Sequence, residues 1–148
     1  MSGIKENMNR IKKIVLDTSV IVKWLAWKNE KDLDKAKKLL DHIEQGQLEA
    51  IICEFAYFEL GNVLYWSKQL KKQNYVEAIK NLFSLPFISY TFTEKIIKSI
   101  YLTMDKFQLS LYDAFPLVIA NIEKCPLITA DEKHHKNLPN VIFLKDYK

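Results

Sequence analysis

Apolar and polar positions along the chain follow two rhythms. Short apolar runs without alternation fall at residues 14–16, 48–53, 87–91, 126–129 and 141–144, and consecutive β-prone residues of this kind predict strands buried on both faces, as in a parallel sheet. Between them apolar residues recur at helical spacing. The spacing predicts helices over 20–25, 31–45, 55–69, 75–85 and 111–124, and one through Met104 that opens at the capping pattern Thr91-Phe92-Thr93-Glu94. Gly46 is placed to stop the second helix and Pro86 the fourth. Strands alternating with helices predict an α/β fold: a central, mostly parallel five-stranded sheet with helices on both faces and the last strand at an edge.

The acids stand out against this pattern. Asp17 follows the first strand directly, and Thr18 and Ser19 are good N-cap residues for the next helix. The carboxyl end of a parallel strand is where open α/β sheets bind ligands, and a turn or cap role suits the same acid equally. Asp131 follows the fourth strand and shares that edge. Glu59 and Asp113 lie on helices entered from it, and Glu59, flanked by Phe58 and Leu60, needs a cation, a proton or a surface to reach. Ser110-Leu111-Tyr112-Asp113 is itself a capping box, which explains Asp113 without chemistry. A start at Ser110 puts Pro116 at the sixth helical position, at a cost of about 3 kcal/mol, whereas a start nearer Tyr112 leaves it in the first turn. Both starts set Asp113 at a helix N-terminus.

Four converging carboxylates repel one another, by roughly 4 kcal/mol for two charges about 4 Å apart at a dielectric of about 20. Such a cluster calls for a divalent cation, and oxygen ligands without His or Cys suit Mg2+ or Mn2+ rather than zinc. The carboxylates of Asp17, Glu59 and Asp113 are expected to converge within metal-bridging reach, with Asp131 nearby.

Composition narrows the setting. At 148 residues the chain reads as one domain over 11–148 with a flexible segment at 1–10. No apolar run approaches a membrane span and the N-terminal stretch lacks a signal-peptide core, so the expected location is cytoplasmic, without a membrane partner. Cys53 and Cys125 fit no metal spacing and read as free thiols. The net charge of +4, 22 basic residues against 18 acids, favours a polyanionic partner if several acids gather in one pocket.

The segments Ile14–Leu25, Glu59-Leu60-Gly61-Asn62-Val63-Leu64, Tyr112-Asp113-Ala114 and Leu127-Ile128-Thr129-Ala130-Asp131 together resemble the four acidic motifs of PIN-domain ribonucleases, most nearly the VapC-type toxins of toxin-antitoxin pairs. The resemblance covers the chain after Arg10. It implies a PIN-like nuclease domain in which Asp17, Glu59, Asp113 and Asp131 bind metal, with Thr18 and Thr129 orienting metal-bound water or substrate. It further implies Mg2+-dependent hydrolysis of an RNA phosphodiester to a 5′-phosphate and a 3′-hydroxyl, a cognate antitoxin protein and a homodimer. Lys23, Lys133 and Lys136 are candidates to hold the RNA backbone. Two positions depart from the family: Pro116 in the helix after the third acid, and Glu54 in a turn where proline is common.

Other readings compete. A housekeeping RNA-processing nuclease or a non-catalytic module of the same fold fits the chain as well, and the presence of all four acids argues against the latter. A haloacid-dehalogenase-like phosphatase requires a second Asp where Ser19 stands. His134 and His135, adjacent in an expected loop, point apart and are set aside as metal ligands or bases. Trp24, Trp27 and Trp66 read as core or dimer-interface residues rather than base-stacking platforms.

Overall fold

The computed structural model describes residues 11–148; the segment 1–10, expected to be flexible, lies outside the described residues. Strands β1 (Lys13–Leu16), β2 (Glu49–Cys53), β3 (Phe87–Tyr90), β4 (Leu127–Thr129) and β5 (Val141–Phe143) form one sheet in the order β3-β2-β1-β4-β5. Every pairing is parallel, and β5 takes the edge expected of it. The helices are α1 (Thr18–Leu25), α2 (Leu33–Glu44), α3 (Phe55–Trp66), α4 (Lys72–Ser84), α5 (Glu94–Phe107), α6 (Leu111–Ile122) and α7 (Glu132–His135), with a 3-10 turn at Leu144–Asp146.

The unbroken apolar runs follow from burial on both sides of the sheet. Ile14 and Leu16 of β1 join a core with Ile21 of α1, Leu39 of α2, Leu60 of α3 and Leu82 of α4. Val15, one residue out of phase, packs with Ile100 of α5 and with Phe115 and Ile119 of α6. Strand side chains alternate between faces, so a strand covered on both must be apolar at every position. Gly46, just beyond α2, has φ +70, the left-handed conformation that suits glycine after a helix end. Among the described residues no helix is long and apolar enough to cross a membrane.

Several boundaries differ from those the periodicity predicts. Helix α4 begins three residues early, at Lys72, through polar exposed residues that periodicity does not register. The N-cap of α5 is Thr93, not Thr91, and it makes no side-chain capping bond. Helix α6 takes the earlier of its two possible starts: Ser110 is the N-cap, its hydroxyl accepts from the Asp113 N–H, and Pro116 stands inside the helix. Residues Ala114 to Ala120 of this helix are all buried, and that packing outweighs one missing backbone bond. Helix α7 stands where a loop is expected from sequence.

Candidate active site

The strand order places β2 on one side of β1 and β4 on the other, so the chain reverses its direction of winding between β1 and β4. A crevice forms at the carboxyl ends of such a strand pair. Here the register Val15 to Leu127 and Leu16 to Ile128 sets Asp17 beside Thr129, and the Asp17 N–H donates to the Ile128 carbonyl at 3.0 Å. The Thr129 hydroxyl, fully buried, donates to Asp17 Oδ2 at 3.0 Å. The Ser19 hydroxyl donates to the same oxygen at 2.5 Å. These hydroxyls are themselves anchored, Ser19 Oγ accepting from the Ala130 N–H at 2.9 Å and Thr129 Oγ1 from the Asp131 N–H at 3.0 Å. Asp17 is the N-cap of α1 by position, but its carboxylate makes no capping bond. The side chain is turned to the β4 edge and held there.

Glu59 lies in the middle of α3, half-buried. Burial first, and then the negative charges of Asp17 and Asp113, push its carboxyl up to about 7. Three acids from three elements thus share one electrostatic field. Phe55, in the first turn of α3, packs edge-on against Tyr112 with ring centres 5.1 Å apart and also against Phe115, fixing α3 against the start of α6. Asp113 occupies that start. Its Oδ2 accepts from the Ser110 hydroxyl at 2.9 Å, and its Oδ1 faces Nε2 of His135 at 3.8 Å.

Asp131 is the N-cap of α7 and accepts from the His134 N–H at 3.1 Å. Its other oxygen lies 2.7 Å from the His134 ring. Burial acts to raise the Asp131 carboxyl, but the His134 ring and N–H bonds and the nearby His134 and His135 charges outweigh it and hold the group below its ordinary value.

Among the described residues no group of three His, Cys, Asp or Glu side chains is arranged to hold an ion as it stands. Asp17, Asp113 and Asp131 each turn to a neighbouring donor or ring. The donor set nevertheless suits Mg2+ or Mn2+. A hard divalent ion takes one or two direct carboxylates and keeps several waters, so it does not require three direct ligands, and the negative charges of Asp17 and Asp113 acting at Glu59 favour it.

Other residues singled out by the sequence separate from this cluster when their contacts are traced. The Thr18 hydroxyl makes no hydrogen bond among the described residues, and Ser19, which looks like a cap in sequence, takes the role beside Asp17. Lys23 cannot hold RNA. It is 6% exposed, its Nζ donating to Glu30 Oε2 at 3.0 Å and to the Lys31 carbonyl at 2.9 Å, and Lys68 pairs with the other Glu30 oxygen at 2.8 Å. Lys133 and Lys136 are exposed, on and beside α7. Glu54 is engaged by backbone, its Oε1 accepting from the Phe92 N–H at 2.9 Å. The two histidines do point apart, His134 to Asp131 and His135 inward. A helix opened by Asp131 would have placed His135 one turn on, back toward the acids. Trp24 packs against the core and donates to the Ala36 carbonyl, while Trp27 and Trp66 are 67% and 69% exposed. Beside Glu59 a groove of about 1270 Å³ runs between α3 and α4, lined by Phe55, Phe58, Tyr65, Phe83 and Tyr112 among others.

The family model of the PIN domain matches residues 14–139, from the first strand through Pro139. The chain belongs to the PIN-domain family. Solved structures of similar fold include a toxin-antitoxin complex from Klebsiella pneumoniae, 19% identical with a TM-score of 0.63, covering 88% of this chain and 97% of that one. VapBC2 from Rickettsia felis, bound to a DNA fragment from its promoter, is 19% identical with a TM-score of 0.66 over 88% and 96% of the two chains. Mycobacterium tuberculosis VapC20, a Sarcin-Ricin loop cleaving toxin, is 13% identical with a TM-score of 0.61 over 82% and 92%. No curated protein matches the chain. In the PIN domain described here the matched span includes Asp17, Glu59, Asp113 and Asp131.

Proposed function

We propose that this PIN domain, extending over residues 11–148, is a divalent-metal-dependent endoribonuclease and the toxin of a toxin-antitoxin pair. The observation that carries the reading is that Asp17, Glu59 and Asp113 act on one another: burial first, and then the charges of Asp17 and Asp113, raise the Glu59 carboxyl to about 7. Acids that repel one another at the carboxyl edge of a sheet raise the free energy of the metal-free fold, and a bound cation offsets that cost. Asp17, Glu59 and Asp113 are the residues to hold Mg2+ or Mn2+, with Asp131 at the rim. The ion supplies Lewis acidity toward a scissile phosphate and a more acidic water.

The chain's own residues prepare the site. Ser19 and Thr129 fix the Asp17 carboxylate from two directions, so it meets a cation without first losing rotamer freedom. The bonds from His134 hold the Asp131 carboxyl below its ordinary value and fix its orientation. The exposed Lys133 and Lys136, on and beside the helix that Asp131 caps, are candidates for contacts to the RNA backbone. The relatives described as toxin-antitoxin complexes support an antitoxin partner, and the exposed aromatic groove between α3 and α4 supports burial of that face by protein, whether antitoxin or second copy.

Incubation of the purified chain with a panel of structured RNAs, with Mg2+ or with EDTA, tests the proposal. Cleavage that requires the divalent ion and disappears in Asp17→Asn is the expected result. RNA left intact by the wild type across metals, or cut equally well in EDTA, overturns it.

A further inference from the structure

Of the groups outside the four acids, His135 is the one whose surroundings packing alone does not explain. It closes α7, four residues after Asp131, and is 1% exposed. Its Nδ1 lies 3.1 Å from the Asp131 carbonyl oxygen and 3.4 Å from Thr129 Oγ1. The ring is therefore backed by the residues at the end of β4. Nε2 points the other way. Among the described residues it is the buried side-chain nitrogen or oxygen without a hydrogen-bond partner, and the carboxylate it faces is Asp113, at 3.8 Å.

We propose that His135 is a positioning residue for Asp113, joining the Thr129–Asp131 corner to the start of α6 and setting where the third carboxylate sits relative to Asp17. This deepens the nuclease reading and rests on it. An apolar side chain would fill the same volume without burying a nitrogen, so an unmet Nε2 is explained by what it faces. The 3.8 Å separation exceeds an ordinary N–H···O bond by roughly 0.9 Å, so the contact is an electrostatic approach of ring to carboxylate rather than a hydrogen bond. Ser110 already holds its other oxygen. Asp113 thus has one hydrogen bond, from Ser110, and one buried ring nitrogen facing its other oxygen, where Asp17 has hydrogen bonds from both Ser19 and Thr129. Groups that orient a metal-binding carboxylate control affinity even though they do not touch the ion.

The test measures Mn2+ binding by calorimetry on the full chain, with Mn2+ alone as the probe, for wild type, His135→Phe, His135→Gln, Asp113→Asn and the double variant His135→Phe with Asp113→Asn. His135→Phe is expected to weaken Mn2+ binding about 10- to 100-fold, the range for loss of a group that supports a ligand, and His135→Gln, which keeps a polar group of similar reach, to recover part of the loss. In the Asp113→Asn background the Phe substitution is expected to add almost nothing, because the group it positions is already gone. If His135→Phe fails to fold, as judged by circular dichroism, the Gln variant and its double with Asp113→Asn carry the same comparison. Wild-type affinity in His135→Phe, or an equal loss with and without Asp113, overturns the positioning role while the nuclease reading stands. A wild-type chain that neither binds Mn2+ nor cuts RNA overturns both.

Discussion

Replacing Glu59 by Gln isolates the electrostatic cost of the acid cluster. The Glu59 carboxyl ordinarily titrates at 4.5 and is raised to about 7 by burial and by Asp17 and Asp113. The folded state therefore holds the proton more tightly than the unfolded chain does. That preference contributes stability in full below about 4.5, and the contribution is lost as pH rises through about 7. At about 1.4 kcal/mol per pKa unit the displacement corresponds to at most about 3.4 kcal/mol. Glu59 is only half-buried, so solvent screening reduces this to roughly 1–2 kcal/mol, or roughly 2–8 °C in melting temperature for a domain of this size.

The assay is thermal melting in EDTA from pH 4.5 to 8.5, read as the difference between Glu59→Gln and wild type so that other titrating groups cancel. The difference should be near its minimum at pH 4.5 and grow toward pH 8 in favour of Gln. In Asp17→Asn or Asp113→Asn the wild-type loss should move to lower pH, because one of the charges that raises Glu59 is gone. Parallel curves for Gln and wild type, or a Gln variant that is the less stable at pH 8, would refute the shared field. The nuclease reading would then lose its main support.

Three further outcomes follow from the contacts. Thr129→Val should destabilise the fold by about 1–3 kcal/mol in urea titration, since the Asp131 N–H loses its acceptor, and Thr129→Ser should restore most of it. Lys23→Met should cost roughly 1–3 kcal/mol, less than a fully broken buried pair because Glu30 keeps Lys68, while cleavage rates stay within about twofold of wild type; a selective loss of RNA binding would return Lys23 to the RNA path. Mn2+ at about 10 to 100 times its Kd should stabilise the wild type by roughly 1.4–2.7 kcal/mol, and Asp17→Asn should lose most of that gain.

The fold was legible because its determinants are local or periodic. Uninterrupted apolar runs identified β1 to β5, since each inner strand is buried on both faces, and 3.6-residue spacing identified six of the seven helices among the described residues. The residues that escaped are those whose role depends on what lies across the sheet. Ser19 looks like a cap in sequence; its bond to Asp17 is local, but the anchor that aims it comes from the Ala130 N–H, which β4 brings alongside. Lys23 looks solvated until the loop after α1 folds Glu30 onto it. His135 follows another histidine in a stretch too short to show periodicity. The start of α6 was ambiguous for a similar reason: a local rule sets the cost of the backbone bond lost at Pro116, but the compensating burial of the helix comes from the packed layer.

The four acids differ in how the fold has provided for them, and the difference bears on where a cation would act. Asp17 has two hydroxyls, Asp131 has the His134 N–H and ring, and Asp113 has Ser110 with His135 facing it. Glu59 accepts no side-chain or capping bond among the described residues, and its carboxyl is pushed up to about 7. Positions already supplied with donors gain less from a cation than the one that lacks any, because each donor bond must be shared or given up. The electrostatic relief on metal binding is therefore concentrated on Glu59. Near pH 7 a cation bound as proposed would have to displace the Glu59 proton, so metal affinity is expected to rise with pH through Glu59. Asp17, held in place beforehand, contributes geometry more than relief.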